Sequence, residues 1–200
     1  QTCALPILLK EQPYVVAGTM QRHEQTAQLA LKECFPDAVI HHNNLWNEFN
    51  HQQVFARYEP RFEQPELLKA DVAKEHNPRA YLAKIFEGAI ERWTDGDFHH
   101  EYDESWPHFK SRVETALQQL CDELAKTKPR YAVVFTSGGV ISVAIGKLLE
   151  LSPNRTFALN WAITNTSLTT LRLVGNEAQV LSLNEHHFIK AERPDLLTWI

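Results

Sequence analysis

The sequence predicts an α/β fold: a three-layer α/β/α domain with a mostly parallel central sheet and an antiparallel hairpin at one edge. Three observations predict it. Tyr131–Phe135 is a short apolar run rich in valine and aromatics, which reads as a strand buried on both faces. Thr136-Ser137-Gly138-Gly139 breaks that run, and then Val140, Ile141, Ala144, Ile145, Leu148 and Leu149 recur at helical spacing. Strand and helix signals alternate along the chain until two β-prone runs, Asn165–Val174 and Gln179–Leu183, face each other across Gly175-Asn176.

A chain of 200 residues is long enough for one α/β domain with a real core. Its 44% hydrophobic and 22% charged residues are ordinary for a globular protein. A net charge of −5 lacks the general basic character that nucleic acid demands, so any anion site is local. Cys3, Cys34 and Cys121 are widely spaced with no pairing pattern, which points to a reducing, cytoplasmic compartment and to no zinc site. No apolar run approaches membrane-spanning length, so no membrane partner is expected. The one Met is Met20, and Gln1–Ile7 reads like a translated sequencing adapter. Residues 1–7 are therefore expected to be an artefact, ahead of a single domain over residues 8–200.

The elements follow in order. Pro13–Gly18 is a second buried strand, and Thr19 is a candidate N-cap for a helix from Met20 to Cys34. Arg22 falls in the first turn, where a cation opposes the helix dipole; a solvated Arg and an anion clamp both fit. Val39-Ile40 is a brief strand. His41-His42 cannot both face one metal on a helix. Glu48, between Trp46 and Phe49, is either a partly desolvated acid with a raised pKa or a solvated Glu. Gln53–Lys74 is helix-prone, with breaks at Pro60 and Pro65. Asn77-Pro78 starts a helix that carries Tyr81, Leu82, Ile85, Phe86, Ala89 and Trp93 on one face. After a polar loop, Ser105 is the expected cap of a helix striped by Phe109, Val113, Leu117, Leu120, Cys121 and Leu124. That stripe makes Cys121 a core residue rather than a reactive thiol. Ser152-Pro153-Asn154 is a turn, and Phe157–Trp161 is apolar and ambiguous.

The turn after Tyr131–Phe135 is where chemistry is expected. Ligands of open α/β sheets bind at the carboxyl ends of strands. The first turn of the following helix offers unpaired N–H groups to an anion. Gly138 and Gly139 either let the backbone approach a ligand or only make a tight turn.

Four segments, in order, resemble the histidine phosphatase superfamily, the phosphoglycerate-mutase-like proteins. They are Gly18-Thr-Met-Gln-Arg22 with Gln25-Thr26-Ala27, then Leu45-Trp46-Asn47-Glu48, then Thr136-Ser137-Gly138-Gly139, and last Asn165-Thr-Ser-Leu168 with Asn184-Glu-His-His187. The resemblance implies a phosphomonoester phosphatase that works through a phosphohistidine, on a small phosphorylated substrate and without a cofactor. It implies Glu48 as proton donor. It implies Arg22, Ser137, Gly138, Gly139 and His187 as phosphate-binding residues, with a structural role for His187 equally open. It places substrate specificity in the Gln52–Tyr102 insert.

Two departures accompany the resemblance. The family opens with a strand ending in Arg-His-Gly, whose His takes the phosphoryl group. No Arg-His-Gly occurs here, and Arg22-His23 is followed by Glu24 on a helix. A first strand and helix are therefore expected to be missing, the chain to be inactive, and the sheet to show a gap between the neighbours of Tyr14–Gly18 and Tyr131–Phe135. The family's other active-site His falls at Ser137, which donates one hydrogen bond but carries no charge. Two other readings stay open. One is a phosphate-binding or regulatory protein without catalysis. The other is a serine hydrolase with Ser137 as nucleophile and His187 as base, whose Gly-x-Ser-x-Gly elbow fails at Phe135.

Overall fold

The computed structural model describes residues 9–175 and 177–199. The heptapeptide Gln1–Ile7, Cys3 within it, and Asn176 of the expected turn lie outside the described residues. In chain order the elements are β1 (Tyr14–Ala17), α1 (Gln21–Leu31), β2 (Ile40–His42), α2 (His51–Tyr58), α3 (Pro65–Lys74), α4 (Pro78–Thr94), α5 (Trp106–Thr127), β3 (Ala132–Phe135), α6 (Gly138–Leu148), α7 (Pro153–Ala162), β4 (Leu168–Val174), β5 (Glu177–Glu185) and α8 (His187–Glu192). They fall into two compact units. One joins the residues up to Glu48 with those from Arg112 onward; the other is Phe49–Ser111.

The first unit holds a parallel sheet in the order β2-β1-β3. Val15 lies opposite Ile40 on one side and Val133 on the other. Val15, Val16 and Ala17 are all buried, as a central strand covered on both faces requires. α1 crosses from β1 to β2, the connection that parallel strands need. Its buried residues His23, Ala27 and Leu31 recur every fourth position and so share one face. Leu31 and Val15 form a core with Phe35, Ile40 and Val133 packed against them.

The expected gap in the sheet is overturned. β1 and β3 pair directly, Tyr14 opposite Ala132 through Ala17 opposite Phe135. The ladder is closed at both ends, with Tyr14 N–H donating to Tyr131 C=O at 2.9 Å and Gly18 N–H donating to Phe135 C=O at 3.0 Å. No strand fits between two runs that satisfy each other's backbone groups. β3 is half-buried rather than buried. It closes the strand order, and its outer edge carries no strand among the described residues.

α6 is apolar on nearly every face and buried almost throughout, which is how an all-round hydrophobic helix must sit. α7 starts with Pro153 after Ser152, so the ambiguous Phe157–Trp161 is helix. The expected hairpin is β4 and β5, antiparallel and turned at Gly175 with φ +63°. It forms its own two-stranded sheet. Asn184 takes the left-handed conformation that Asn tolerates, while its Oδ1 accepts from Thr164 N–H at 2.9 Å.

The second unit is helical. Pro60 and Pro65 fall at the starts of a 3₁₀ turn (Pro60–Glu63) and of α3. Asn77 caps α4, its side chain accepting from Ala80 N–H at 3.1 Å. Aromatic residues make the core: Phe49 stacks on Trp93 at 4.8 Å between ring centroids and meets Phe109 edge-on at 5.4 Å. Trp93 is fully buried, and its indole N–H donates to Glu104 C=O at 3.0 Å. The whole Gln52–Tyr102 insert lies within this unit. Among the described residues, no helix is long and apolar enough to cross a membrane.

Candidate active site

The ends of β1 and β3 bring the site together, since the paired strands finish side by side at Ala17 and Phe135. After β3, Thr136 turns inward and its hydroxyl donates to Trp46 C=O at 2.7 Å. Ser137 then occupies the N-cap position of α6 in extended backbone, without its side chain capping the helix. Its Oγ points instead at α1.

Three nitrogens converge on that oxygen. Arg22 Nε donates to Ser137 Oγ at 3.2 Å and Arg22 Nη2 at 3.0 Å. His23 Nε2 lies 2.5 Å from the same atom. One turn of α1 can present both residues because Arg22 is exposed at its rim while His23 faces inward with Ala27 and Leu31. Burial, helped by the adjacent Arg22 guanidinium, lowers the His23 pKa from 6.5 to about 4. The imidazole is uncharged at neutral pH.

Thr19 does not cap α1 as the sequence led one to expect. The helix begins at Gln21 with Met20 at the cap position and no side-chain cap bond. Thr19 is held by Asn47: its N–H donates to Asn47 Oδ1 at 2.7 Å, and Asn47 Nδ2 donates to its hydroxyl at 2.7 Å. A tertiary partner has taken the groups that would have capped the helix.

Glu48 reaches the site from the loop after β2. Its Oε2 accepts the Gly139 N–H at 3.0 Å, in the first turn of α6, where the helix dipole favours an anion. The amide expected to meet phosphate therefore holds the expected proton donor. Arg112, which sequence reasoning passed over, fastens that loop. Its Nη1 donates to Leu45 C=O at 2.8 Å and to Asn47 C=O at 2.9 Å.

Of the residues expected from sequence, Arg22, Ser137, Gly139 and Glu48 meet here, and Gly138 is buried beside them at the start of α6. His187 opens α8 and stacks on His186 at 5.4 Å, outside the described contacts of this cluster. His23, Asn47 and Arg112 are the members that sequence reasoning missed. A cavity of about 730 Å³ lined by Gln25, Gln28, Leu29, Lys32, Phe35 and Ile40, among others, includes none of the cluster. Among the described residues, no group of His, Cys, Asp and Glu side chains is arranged to hold a metal ion.

The model of the histidine phosphatase superfamily (branch 1) matches residues 74–186, which take in Ser137, both glycines and the hairpin. No curated protein matches the chain. Among solved structures, phosphoglycerate mutase from Bacillus anthracis strain Sterne is similar with a TM-score of 0.59 and 16% identity, covering 90% of this chain and 77% of that one. The alpha-ribazole phosphatase from Shigella flexneri is similar with a TM-score of 0.56 and 15% identity, covering 90% and 78%. At such identities the likeness speaks for the fold.

Proposed function

The chain belongs to the histidine phosphatase superfamily, and we propose that its Ser137 cluster is the phosphate site of a phosphomonoester phosphatase acting on a small phosphorylated substrate. One observation carries the reading: the Arg22 fork and Ser137, 115 residues apart in sequence, meet at the ends of paired parallel strands. Arg22 suits a phosphoryl group because its donors are planar and permanently charged. Ser137 and the amides of Gly138 and Gly139 add uncharged donors, and His187 is a further candidate ligand. Such donors stabilise the charge that spreads over the phosphoryl oxygens in the transition state.

Glu48 is the proposed acid for the leaving alcohol. Bound to the Gly139 amide, it stands beside the donors that would hold phosphate. To give a proton it must first acquire one, and arrival of a phosphoryl group on the same amide would displace the carboxylate and favour that protonation. The reaction as proposed passes through a phosphohistidine and needs no cofactor. Its nucleophile belongs to an Arg-His-Gly that the sequence does not contain. His23 is not proposed for that role, because its Nε2 is engaged by Ser137.

Hydrolysis of p-nitrophenyl phosphate tests the proposal. The 200-residue chain should show negligible turnover, and the gene extended upstream to a strand ending in Arg-His-Gly should show activity. Arg22→Ala in the extended protein should lower kcat/KM about a hundredfold or more, the loss typical of one transition-state donor. Turnover by the 200-residue chain that vanishes in Ser137→Ala would instead establish a serine hydrolase. A second reading, phosphate-ligand binding without turnover, draws on Ser137 being uncharged; an extended protein that binds phosphate but hydrolyses nothing would establish it.

A further inference from the structure

His23 has no part in the phosphatase reading, yet it makes the shortest contact in the site. It is only 3% exposed. Its Nε2 lies 2.5 Å from Ser137 Oγ, while its Nδ1 is buried against Gly18 without a hydrogen-bond partner. An uncharged imidazole carries one proton, on one nitrogen or the other. A buried N–H with no acceptor is rarer than a buried acceptor with no donor. The proton therefore belongs on Nε2, and the ring donates to Ser137.

That assignment settles the direction of the Ser137 hydroxyl. The two N–H groups of the Arg22 fork share one lone pair of its oxygen and the His23 Nε2–H takes the other, so both acceptor sites of the hydroxyl are filled. None of these three nitrogens can accept in return. The Ser137 proton is left to point away from Arg22 and His23, toward whatever acceptor enters the site. The three side chains together form an array of donors, and an oxyanion completes it.

We propose that His23 is a positioning residue of the phosphate site: it donates Nε2–H to Ser137 Oγ and thereby directs the Ser137 hydroxyl proton onto a phosphoryl oxygen of the ligand. The assignment rests on the phosphate-site reading above. His23 acts through Ser137, and a side chain with an N–H at the same place can replace it. Gln offers one, because its Nε2 lies at a comparable reach from the helix.

Two measurements on the 200-residue chain test this. Long-range ¹H–¹⁵N correlation spectra of histidine-labelled protein at pH 7 should show His23 protonated on Nε2 and bare on Nδ1; the opposite tautomer overturns the proposal. Titration with inorganic phosphate should show binding weakened about tenfold in His23→Ala, the scale of one hydrogen bond to a charged ligand. Ser137→Ala should weaken it equally, the double variant no further, and His23→Gln should stay within about threefold of wild type. Thermal melts confirm that each variant is folded, and the tautomer measurement needs no variant. Phosphate binding unchanged in a folded His23→Ala refutes the role of His23 alone. A wild-type chain that binds no phosphate removes the phosphate site itself.

Discussion

Gly18→Ala tests how tightly the site is built around His23. Gly18 ends β1 and keeps its ladder bond to Phe135 C=O at 3.0 Å. A Cβ at this position would sit 2.9 Å from His23 Cε1 and from Asn47 Oδ1, and nearer still to His23 Nδ1, closer than real Cβ atoms come. The obstacle is space, since Gly18 does not have the positive φ that favours glycine. The imidazole cannot give way while it remains buried against Ser137. Overpacking of this kind costs about 1–3 kcal/mol. Breaking the contact between His23 and Ser137 adds about 1 kcal/mol. A stiffer unfolded chain returns about 0.4–1 kcal/mol. The net expectation is a loss of about 2 kcal/mol, read from urea unfolding at pH 7. In a His23→Ala background the clash is largely removed, so Gly18→Ala should there cost less than about 1 kcal/mol. Wild-type stability in Gly18→Ala, or a loss undiminished by His23→Ala, would refute the reasoning.

Two more expectations follow from the same packing and electrostatics. Gly146→Ala should gain about 1 kcal/mol of helix propensity, yet its Cβ would fall 3.0 Å from Thr156 Cγ2 and nearer to Thr156 Oγ1, a buried β-branched residue of α7. The clash should win and lower the melting temperature; a higher one would show that α6 and α7 can part. The depressed pKa of His23 predicts a pH dependence, because below pH 6.5 the unfolded chain binds a proton that the folded chain takes up only near pH 4. This contribution is complete above about pH 7 and declines as the pH falls from 6.5 toward 4, by on the order of 3 kcal/mol in all. Urea unfolding at pH 7, 6 and 5 should therefore fall more steeply in wild type than in His23→Gln, and parallel curves would contradict the assignment.

Local pattern carried the sequence reading wherever an element answers to its own residues. Val15, Val16 and Ala17 stand out as a doubly covered strand because nothing polar interrupts them. Asn77-Pro78 marks a helix start because both residues act on their own backbone. The failures are matters of long range. Thr19 has the chemistry of a cap, but Asn47 claims it from 28 positions away. The direct pairing of β1 with β3 depends on which strands meet, and the composition of neither run encodes that choice. Arg112 looks like the solvated interruption of an apolar stripe until the loop carbonyls of Leu45 and Asn47 are placed before it.

His23 lies between these cases and shows what the site is made of. Its spacing of four from Ala27 and eight from Leu31 puts it on the inner face of α1, and that much was readable. A histidine on such a face is consistent with any partner or with none. Only the fold shows Ser137 before its Nε2, at the position where the family resemblance calls for a second imidazole. Thus an imidazole does reach this end of the sheet, carried by α1 instead of by the turn after β3. Burial and the neighbouring guanidinium keep it uncharged. Within this cluster the fixed positive charge rests on Arg22, and Ser137 and His23 supply direction rather than charge. Under the phosphate-site proposal Arg22 supplies the charge, and the geometry at Gly18, Ser137 and His23 aims an uncharged donor at the same oxyanion.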